Sequence, residues 1–393
     1  MTSTTETSMT SSASHTAVTV LLLAVSAFII VTTEFVIVGL LPSIARELGI
    51  SVSLAGQLVT LFAFTVMIAG PFLTAMVSHL DRKKLFVFIL GLFAVSNALV
   101  AIAPNLWVLS LGRFLPALAL PVFWGTASET AGRLVGPERA NKAISHVYMG
   151  IAAAMVLGIP LGTVAAETIE WRGTFWLLAA LSLAMAGLLM VIMPSTECSE
   201  KVGLAAQAKI LKDPYFAGNL ILSVAVFTAM FTSYTYLADT LERVAQVPSS
   251  QVGWWLMGFG VLGLIGNWLG GYMVDKGPLV ATAVATAVLA VGMAATTPLA
   301  HVHPLLAIAL SAWGIANTAL YPICQVRVMN AASHARALAG TLNVSMANAG
   351  IGLGAIIGGS AITHLGLASL GYVAAVIAVV AILLSIVVGR LKK

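Results

Sequence analysis

Residues 17–41 read AVTVLLLAVSAFIIVTTEFVIVGLL, and Glu34 is the only charged residue among them. A run of this length can cross the roughly 30 Å hydrocarbon core of a membrane as an α-helix. Similar runs recur along the chain, which is 60% hydrophobic and 8% charged with a mean hydropathy of +1.02. Soluble domains carry roughly 25% charged residues. The sequence therefore predicts an all-α membrane protein with many spans.

Proline-containing turn signals and one long polar stretch divide the chain into twelve predicted spans. They fall at 17–41, 51–77, 84–103, 105–131, 138–165, 172–193, 214–240, 250–273, 279–299, 303–329, 336–363 and 368–389. We therefore predict a polar, disordered cytoplasmic tail at 1–16 and a six-helix half at 17–193. A cytoplasmic linker at 194–213 and a second six-helix half at 214–393 follow.

The basic residues are distributed unevenly between the two sides of the membrane. With the N-terminus inside, the cytoplasmic connections carry most of the Lys and Arg, including Arg82, Arg133 and Arg327, whereas the opposite ones carry only Arg46, Arg172 and Arg243. The positive-inside rule then predicts that both termini are cytoplasmic. Because these charges orient the protein in its membrane, a nucleic-acid partner is not expected.

The two halves share one register. Residues 197 positions apart match at Gly56 and Gly253, at Arg139 and Arg336, and at Met149 and Met346. With an even number of spans in each half, such repeats are parallel and are related by an axis along the membrane normal. The sequence therefore predicts two pseudo-symmetric six-helix units.

Several motifs resemble the major facilitator superfamily over nearly the whole chain. SHLDRKK at 78–84 and GYMVDKG at 271–277 are similar to the signatures of the loops after spans 2 and 8. Span 4 contains Arg113, and span 5 contains GIPLG at 158–162. With TEFVIVGLLP at 33–42, the likeness is closest to twelve-span drug:proton antiporters, near the sugar-efflux and arabinose-exporter-like members. This chain has Leu120-Pro121 where many relatives have a histidine, so no role of that histidine transfers.

The resemblance implies the major facilitator fold, in which spans 1, 4, 7 and 10 line a central cavity. It also implies a bacterial inner-membrane location and a monomer. Gating and conformational roles then fall to Asp81, Arg82, Asp275, Gly158, Pro160 and Gly162. Asp81, Arg82 and Asp275 would brace a cytoplasmic gate. The glycines of spans 5 and 11 would form either a tight seam between the halves or generic close packing.

Glu34 and Arg113 are opposite charges at one predicted depth. Glu34 lies eight residues before Pro42 and Arg113 lies eight residues after Asn105, so each is roughly 12 Å below the same membrane face. A charge at the bilayer centre costs at least about 2.5–3.5 kcal/mol, so both are expected to face the bundle interior. Either Glu34 carries the coupling proton beside Arg113, directly or through water, or the two form a structural pair.

Aromatic and amide residues recur on the predicted cavity spans and suit a small, neutral or amphipathic solute. For each residue, packing in the core or against lipid is an equal alternative. His146 and its repeat partner Asn343 either bind substrate, close the inner gate or form interhelical hydrogen bonds. The candidate cavity residues are Phe35, Phe123, Trp124, His146, Tyr234, Trp313, Asn317, Tyr321 and Asn343.

No phosphate-binding loop, nucleotide domain, catalytic triad or haem motif appears, so an enzyme is not expected. Two isolated cysteines, Cys198 and Cys324, predict neither a disulfide nor a metal site. We therefore expect an exporter that exchanges small solutes, such as sugars or drug-like compounds, for protons without a cofactor. An importer or uniporter is the near alternative, and a sensor on a transporter scaffold a more distant one.

Overall fold

The computed structural model describes residues 3–77, 80–136, 143, 146–147, 149–150, 153–195, 209–332 and 336–391, and these residues are helical throughout apart from short connections. A π-helical turn, Ala154–Gly158, precedes α5, and 3₁₀ turns occupy Lys209–Lys212 and Leu367–Ser369. The α-helices are α1 (Ser3–Leu48), α2 (Val52–Val77), α3 (Arg82–Ala101), α4 (Leu106–Val135), α5 (Ile159–Ile192), α6 (Pro214–Tyr234), α7 (Leu237–Arg243), α8 (Ser249–Lys276), α9 (Pro278–Thr296), α10 (His303–Ala331), α11 (Arg336–Leu365) and α12 (Leu370–Leu391).

Eleven helices in the described part of the chain are long and apolar enough to cross a membrane. One of them, Val156–Ile192, has 37 residues, which is roughly 55 Å of helix and nearly twice the hydrocarbon thickness. It is broken at Glu170, whose φ of 59° and ψ of 166° are non-helical. The eleven helices therefore accommodate the twelve predicted spans, with parts of spans 5 and 6 joined in α5.

The first helix begins earlier than the sequence predicts. Its apolar part starts at Thr16, but the backbone is helical from Ser3. Adding a residue to an existing helix is far less costly than nucleating one, so the polar residues 3–16 continue the helix instead of forming a disordered tail.

The seventh predicted span consists of two helices, α6 and α7. The break falls at Thr235 and Tyr236, and it turns the fully buried Tyr236 so that its Oη donates a hydrogen bond to the Ala355 carbonyl at 2.8 Å. No proline or glycine marks the position, since residues 233–238 read SYTYLA. A tertiary contact therefore determines this break.

Helices α1 to α5, the first half, pack mainly against one another, as do α6 to α12, the second half. The two halves meet where α2 contacts α11 and where α5 contacts α8. Ser53 Oγ donates to the Gly359 carbonyl at 2.8 Å, and Thr60 Oγ1 donates to the Gly352 carbonyl at 3.3 Å. We call the end of the bundle with the α1–α2 and α7–α8 connections the closed end, because these contacts between the halves reach it.

Helix α11 has glycines on two faces. One row, spaced by four residues, contacts α6 of the same half and comprises Gly350, Gly354 and Gly358. The other row, spaced by seven, contacts α2 of the other half and comprises Gly352 and Gly359. A Cβ atom at any of these positions would lie within 2.8 Å of the facing helix. Only glycine permits both helices to approach α11 so closely.

The glycines of GIPLG pack within the first half. A Cβ atom on Gly158 would lie 2.0 Å from Thr32 Oγ1, and one on Gly162 would lie 2.4 Å from Val36 Cγ2, both on α1. Pro160 follows the π-helical turn, where a widened backbone accommodates a residue without an N–H group. Of the two predicted alternatives, Gly158 and Gly162 show close packing within the first half instead of a seam between the halves, because α1 lies against this face of the helix.

The repeat partners Gly56 and Gly253 do lie between the halves. A Cβ atom on Gly56 would be 2.2 Å from Tyr236 Oη of the second half. A Cβ atom on Gly253 would be 2.6 Å from Val164 Cγ2 of the first half. Both glycines of this register pair thus lie at contacts between the halves.

Candidate functional site

Arg113 is buried beside Glu34 but binds the backbone of α1 instead of the carboxyl group. Its side chain is 1% exposed. Nη1 donates to the Thr33 carbonyl at 2.6 Å, and Nη2 donates to the Glu34 carbonyl at 2.7 Å. The guanidinium also lies 4.5 Å from the centre of the Phe62 ring, where a cation is favoured. Arg113 therefore ties α4 and α2 to one turn of α1.

The Glu34 carboxyl group makes neither a hydrogen bond nor an ion pair with any residue that the structure describes. It is partly exposed, although most of its neighbours on α1 are buried. Arg113 is close enough to interact with it electrostatically, and so is Tyr321 of the second half. The charges predicted at one depth are thus neighbours in space, but they do not form a direct pair in this conformation.

A continuous row of aromatic rings leads from Glu34 into the second half. Successive ring centres are 6.0, 5.5, 5.6 and 5.4 Å apart along Phe35, Phe231, Tyr234, Phe259 and Trp313. We call these five residues the aromatic row. It joins α1, α6, α8 and α10, and so crosses between the halves. Phe259 is a member that sequence reasoning did not single out, because an isolated phenylalanine in an apolar helix carries no signal.

The remaining predicted cavity residues separate into two groups. Tyr321 packs edge-on against Phe227 at 5.1 Å near Glu34, and Asn317 lies one turn before it on α10. Phe123 instead packs against Phe86 of α3 at 5.7 Å and against Trp124 at 5.3 Å. Phe123 is therefore part of the core of the first half, with Trp124 half-buried beside it.

His146 and Asn343 occupy different environments despite their shared register. His146 is exposed. Asn343 is buried, accepts a hydrogen bond from Ser223 Oγ at 2.7 Å and donates one to Gln325 Oε1 at 2.7 Å. These bonds join α6, α10 and α11, so Asn343 makes the interhelical hydrogen bonds that were one of its predicted roles.

Arg327, which the charge distribution placed in a cytoplasmic connection, is buried in the same network. Its Nη1 donates to Thr282 Oγ1 at 2.9 Å. Its Nη2 donates to Ser223 Oγ at 2.8 Å and to the Asn219 carbonyl at 3.0 Å. Arg327 thus ties α10 to α6 and α9. The sequence does contain one indication of this network. Asn219 and Ser223 lie one turn apart on the apolar helix α6, and two such polar residues suggest a buried hydrogen-bonding partner.

The predicted gate residues are described only in part. Asp81 caps α3, since its Oδ1 accepts a hydrogen bond from the Lys84 backbone N–H at 3.0 Å. Arg82 is buried at the start of the same helix. The side chain of Asp275 lies outside the described residues, although its backbone belongs to the last turn of α8. A bracing role for the three residues remains a prediction.

An ion pair joins the halves at the closed end. Arg46 of α1 contacts Glu242 of α7, and both line a small open cleft. Asp239, one turn before Arg243, is buried and accepts a hydrogen bond from Arg243 Nη1 at 3.4 Å. Asp239 is buried although it lies near the closed end, because the α6–α7 break turns it inward.

Reversing the charge with Arg46→Glu is expected to shift the population away from closure at this end by up to about fivefold. The shift is small because exposed ion pairs contribute about 0.2–1 kcal/mol. Spin labels across the closed end would report the change as a longer distance. The double variant with Arg46→Glu and Glu242→Arg restores opposite charges, so a distance distribution that stays shifted would contradict a role for this pair.

Comparisons with known proteins agree with this architecture. The family model described as Major Facilitator Superfamily matches residues 23–246 and 220–392. The inner membrane transport protein YdhP of Escherichia coli K12 is 34% identical over 352 residues, which are 90% of each chain. A probable sugar efflux transporter of Helicobacter acinonychis is 30% identical over 363 residues, which are 92% of this chain and 93% of that one.

Among solved structures, a similar one is the crystal structure of a bacterial homologue of the human lysosomal transporter Spinster, in an inward-facing and unoccupied conformation. The TM-score is 0.82, with 96% of this chain and 97% of that chain covered. At 15% identity this likeness shows the fold alone.

Proposed function

Because the chain belongs to the major facilitator superfamily and is a multi-pass membrane transporter, not an enzyme, we propose that it exports small neutral or amphipathic solutes in exchange for protons. Sugars and drug-like compounds are the two substrate classes. The proton gradient drives transport without a cofactor. The transporter works as a monomer in a bacterial inner membrane, with both termini in the cytoplasm. A relative named as a probable sugar efflux transporter supports the direction of transport.

The observation that carries this proposal is the state of the Glu34 carboxyl group. It has no direct partner among the described residues, and it belongs to a partly exposed residue that precedes the first ring of the aromatic row in the sequence. A carboxyl group held in this way can gain and lose a proton without dismantling a salt bridge. An intramembrane carboxyl group of this kind is by default a functional group.

The contacts suggest how protonation couples to movement of the halves. A neutral carboxyl group can stay beside the aromatic row, whereas a carboxylate needs water or a countercharge. Glu34 would take up a proton from outside, move with α1 as the halves rock, and release the proton to the cytoplasm as solute binds. Under the predicted topology, the present conformation is closed to the outside and is the one that releases the proton.

Proton movement in everted membrane vesicles tests the proposal. After respiration acidifies the interior, we expect arabinose, uridine or ethidium, added one at a time, to dissipate the pH gradient when it is a substrate. Labelled-solute uptake is measured in parallel. Solute flux without a proton signal would overturn the coupling and indicate a uniporter. Flux in the opposite direction, with the proton gradient driving solute out of the everted vesicles, would indicate an importer.

A further inference from the structure

Two buried polar side chains on α10 lack a hydrogen-bond partner within the part of the chain that the structure describes. They are the indole Nε1 of Trp313, a donor, and the amide Oδ1 of Asn317, an acceptor. Trp313 is 0% exposed and Asn317 is 4% exposed. Buried indole and amide groups almost always have a partner, so a molecule from outside the chain is the natural candidate.

The two side chains share one face of α10. They stand four residues apart, which separates them by about 6 Å along the axis, and Tyr321 follows one turn later. Trp313 is the last ring of the aromatic row that begins next to Glu34. Tyr321 is close enough to Glu34 to interact with its charge. Asn317 therefore lies between Tyr321 and the last ring of the aromatic row.

Other buried polar atoms also lack a hydrogen-bond partner, but they do not combine a donor with an acceptor on one helix face as Trp313 and Asn317 do. The Asn348 amide still donates through Nδ2 to the Val344 carbonyl at 3.0 Å. The hydroxyls of Thr32 and Ser96 also lack partners, but they belong to different helices, α1 and α3. The unpaired Nε atoms of Arg113 and Arg327 belong to guanidinium groups that are bonded through Nη1 and Nη2. Within the described residues, Trp313 and Asn317 alone place an unpaired donor and an unpaired acceptor one turn apart on one helix.

We propose that Trp313 and Asn317 select a hydroxyl-rich solute, of the sugar or polyol class, over a purely lipophilic one. This inference rests on the proposed export function. One hydroxyl group can accept a hydrogen bond from Trp313 Nε1 and donate one to Asn317 Oδ1, and neighbouring hydroxyls of a sugar can divide these roles. The rings of the aromatic row next to this pair can contact the C–H groups of a bound sugar. A solute without hydroxyls leaves both polar atoms unpaired, which disfavours it.

The decisive variant is Trp313→Phe, which removes the N–H group and retains a ring against Phe259. In everted vesicles, we expect the KM for arabinose or ribose uptake to rise about tenfold, as the loss of one hydrogen bond predicts. The KM for ethidium, a lipophilic cation without hydroxyls, is expected to change less than about twofold. Asn317→Leu is expected to alter the same ratio in the same direction.

The matched control is Trp255→Phe, because Trp255 packs on His303 near the closed end and lies outside the aromatic row. It is expected to leave the pentose-to-ethidium ratio unchanged. Parallel changes for both solutes in Trp313→Phe would show a structural role and overturn the inference. So would wild-type vesicles that transport ethidium but no pentose. Proton coupling is judged separately from the pH signal, so pentose selectivity without proton movement would overturn only the coupling.

Discussion

Vesicles that carry Glu34→Gln are expected to show no solute-dependent proton movement, although the variant inserts and folds normally. Glutamine has the shape of glutamic acid but cannot release a proton at neutral pH. The structure explains why folding survives: Arg113 binds the backbone carbonyls of Thr33 and Glu34, and the substitution retains both. Gradient-driven solute uptake is therefore expected to fall to the level of vesicles without the transporter.

The control for this variant is Glu167→Gln, which neutralises an exposed carboxyl group of α5. It is expected to leave the proton signal at the wild-type level. Undiminished proton movement with Glu34→Gln would remove Glu34 as the proton carrier. A variant that fails to fold would instead support the structural interpretation, since it would mean that the carboxyl group itself holds α1 against α4.

The largest expected effect on stability comes from Gly266→Ala. A Cβ atom at this position of α8 would lie 2.0 Å from the Ile315 carbonyl oxygen and 2.3 Å from Thr318 Oγ1. Neither a helical carbonyl nor the hydroxyl bonded nearby can withdraw, so α8 and α10 must separate. We expect a loss of about 3 kcal/mol or more in the free energy of unfolding, at the upper end of overpacking effects.

Gly258→Ala tests the explanation with the same substitution on the same helix. No atom lies within 4 Å of a Cβ at Gly258, so alanine is expected to be tolerated there. Thermal unfolding in detergent, followed by size-exclusion chromatography, would compare the two variants with wild type. Equal melting temperatures for Gly266→Ala and wild type would show that the two helices can separate at little cost.

The fold could be predicted because each membrane-spanning helix needs a run of about 20 apolar residues, and such runs are visible in the sequence. Apolar runs of spanning length, the 197-residue register and the signature motifs each depend on local sequence. Depth along a helix is equally local, so Glu34 and Arg113 could be placed at one level. Which acceptor Arg113 binds could not be predicted. The Glu34 carboxyl group and the carbonyl groups of Thr33 and Glu34 were all possible acceptors, and the choice depends on how α1 is rotated in the bundle.

Features that depend on contacts between helices escaped prediction. The break after Tyr234 has no local signal, because it is formed by the packing of Tyr236 against Ala355 and Gly56. Arg327 looked like a charge at the membrane surface, and its burial depends on hydrogen-bonding groups that come from other helices. The sequence left the neighbour of Gly158 and Gly162 open, since their spacing identifies a smooth helix face but not the helix that packs on it.

The two glycine rows of α11 have a mechanical consequence. The row toward α6 presses against backbone atoms, which cannot yield, so α11 is locked within its own half. The row toward α2 meets the Phe64 ring and the Ser53 hydroxyl, which are side-chain groups that can turn aside. Helix α11 is therefore held by backbone contacts on one side, and by side-chain contacts and two hydrogen bonds from α2 on the other. Movement of one half against the other must therefore rearrange the α2–α11 and α5–α8 contacts, while the packing of α11 on α6 is retained.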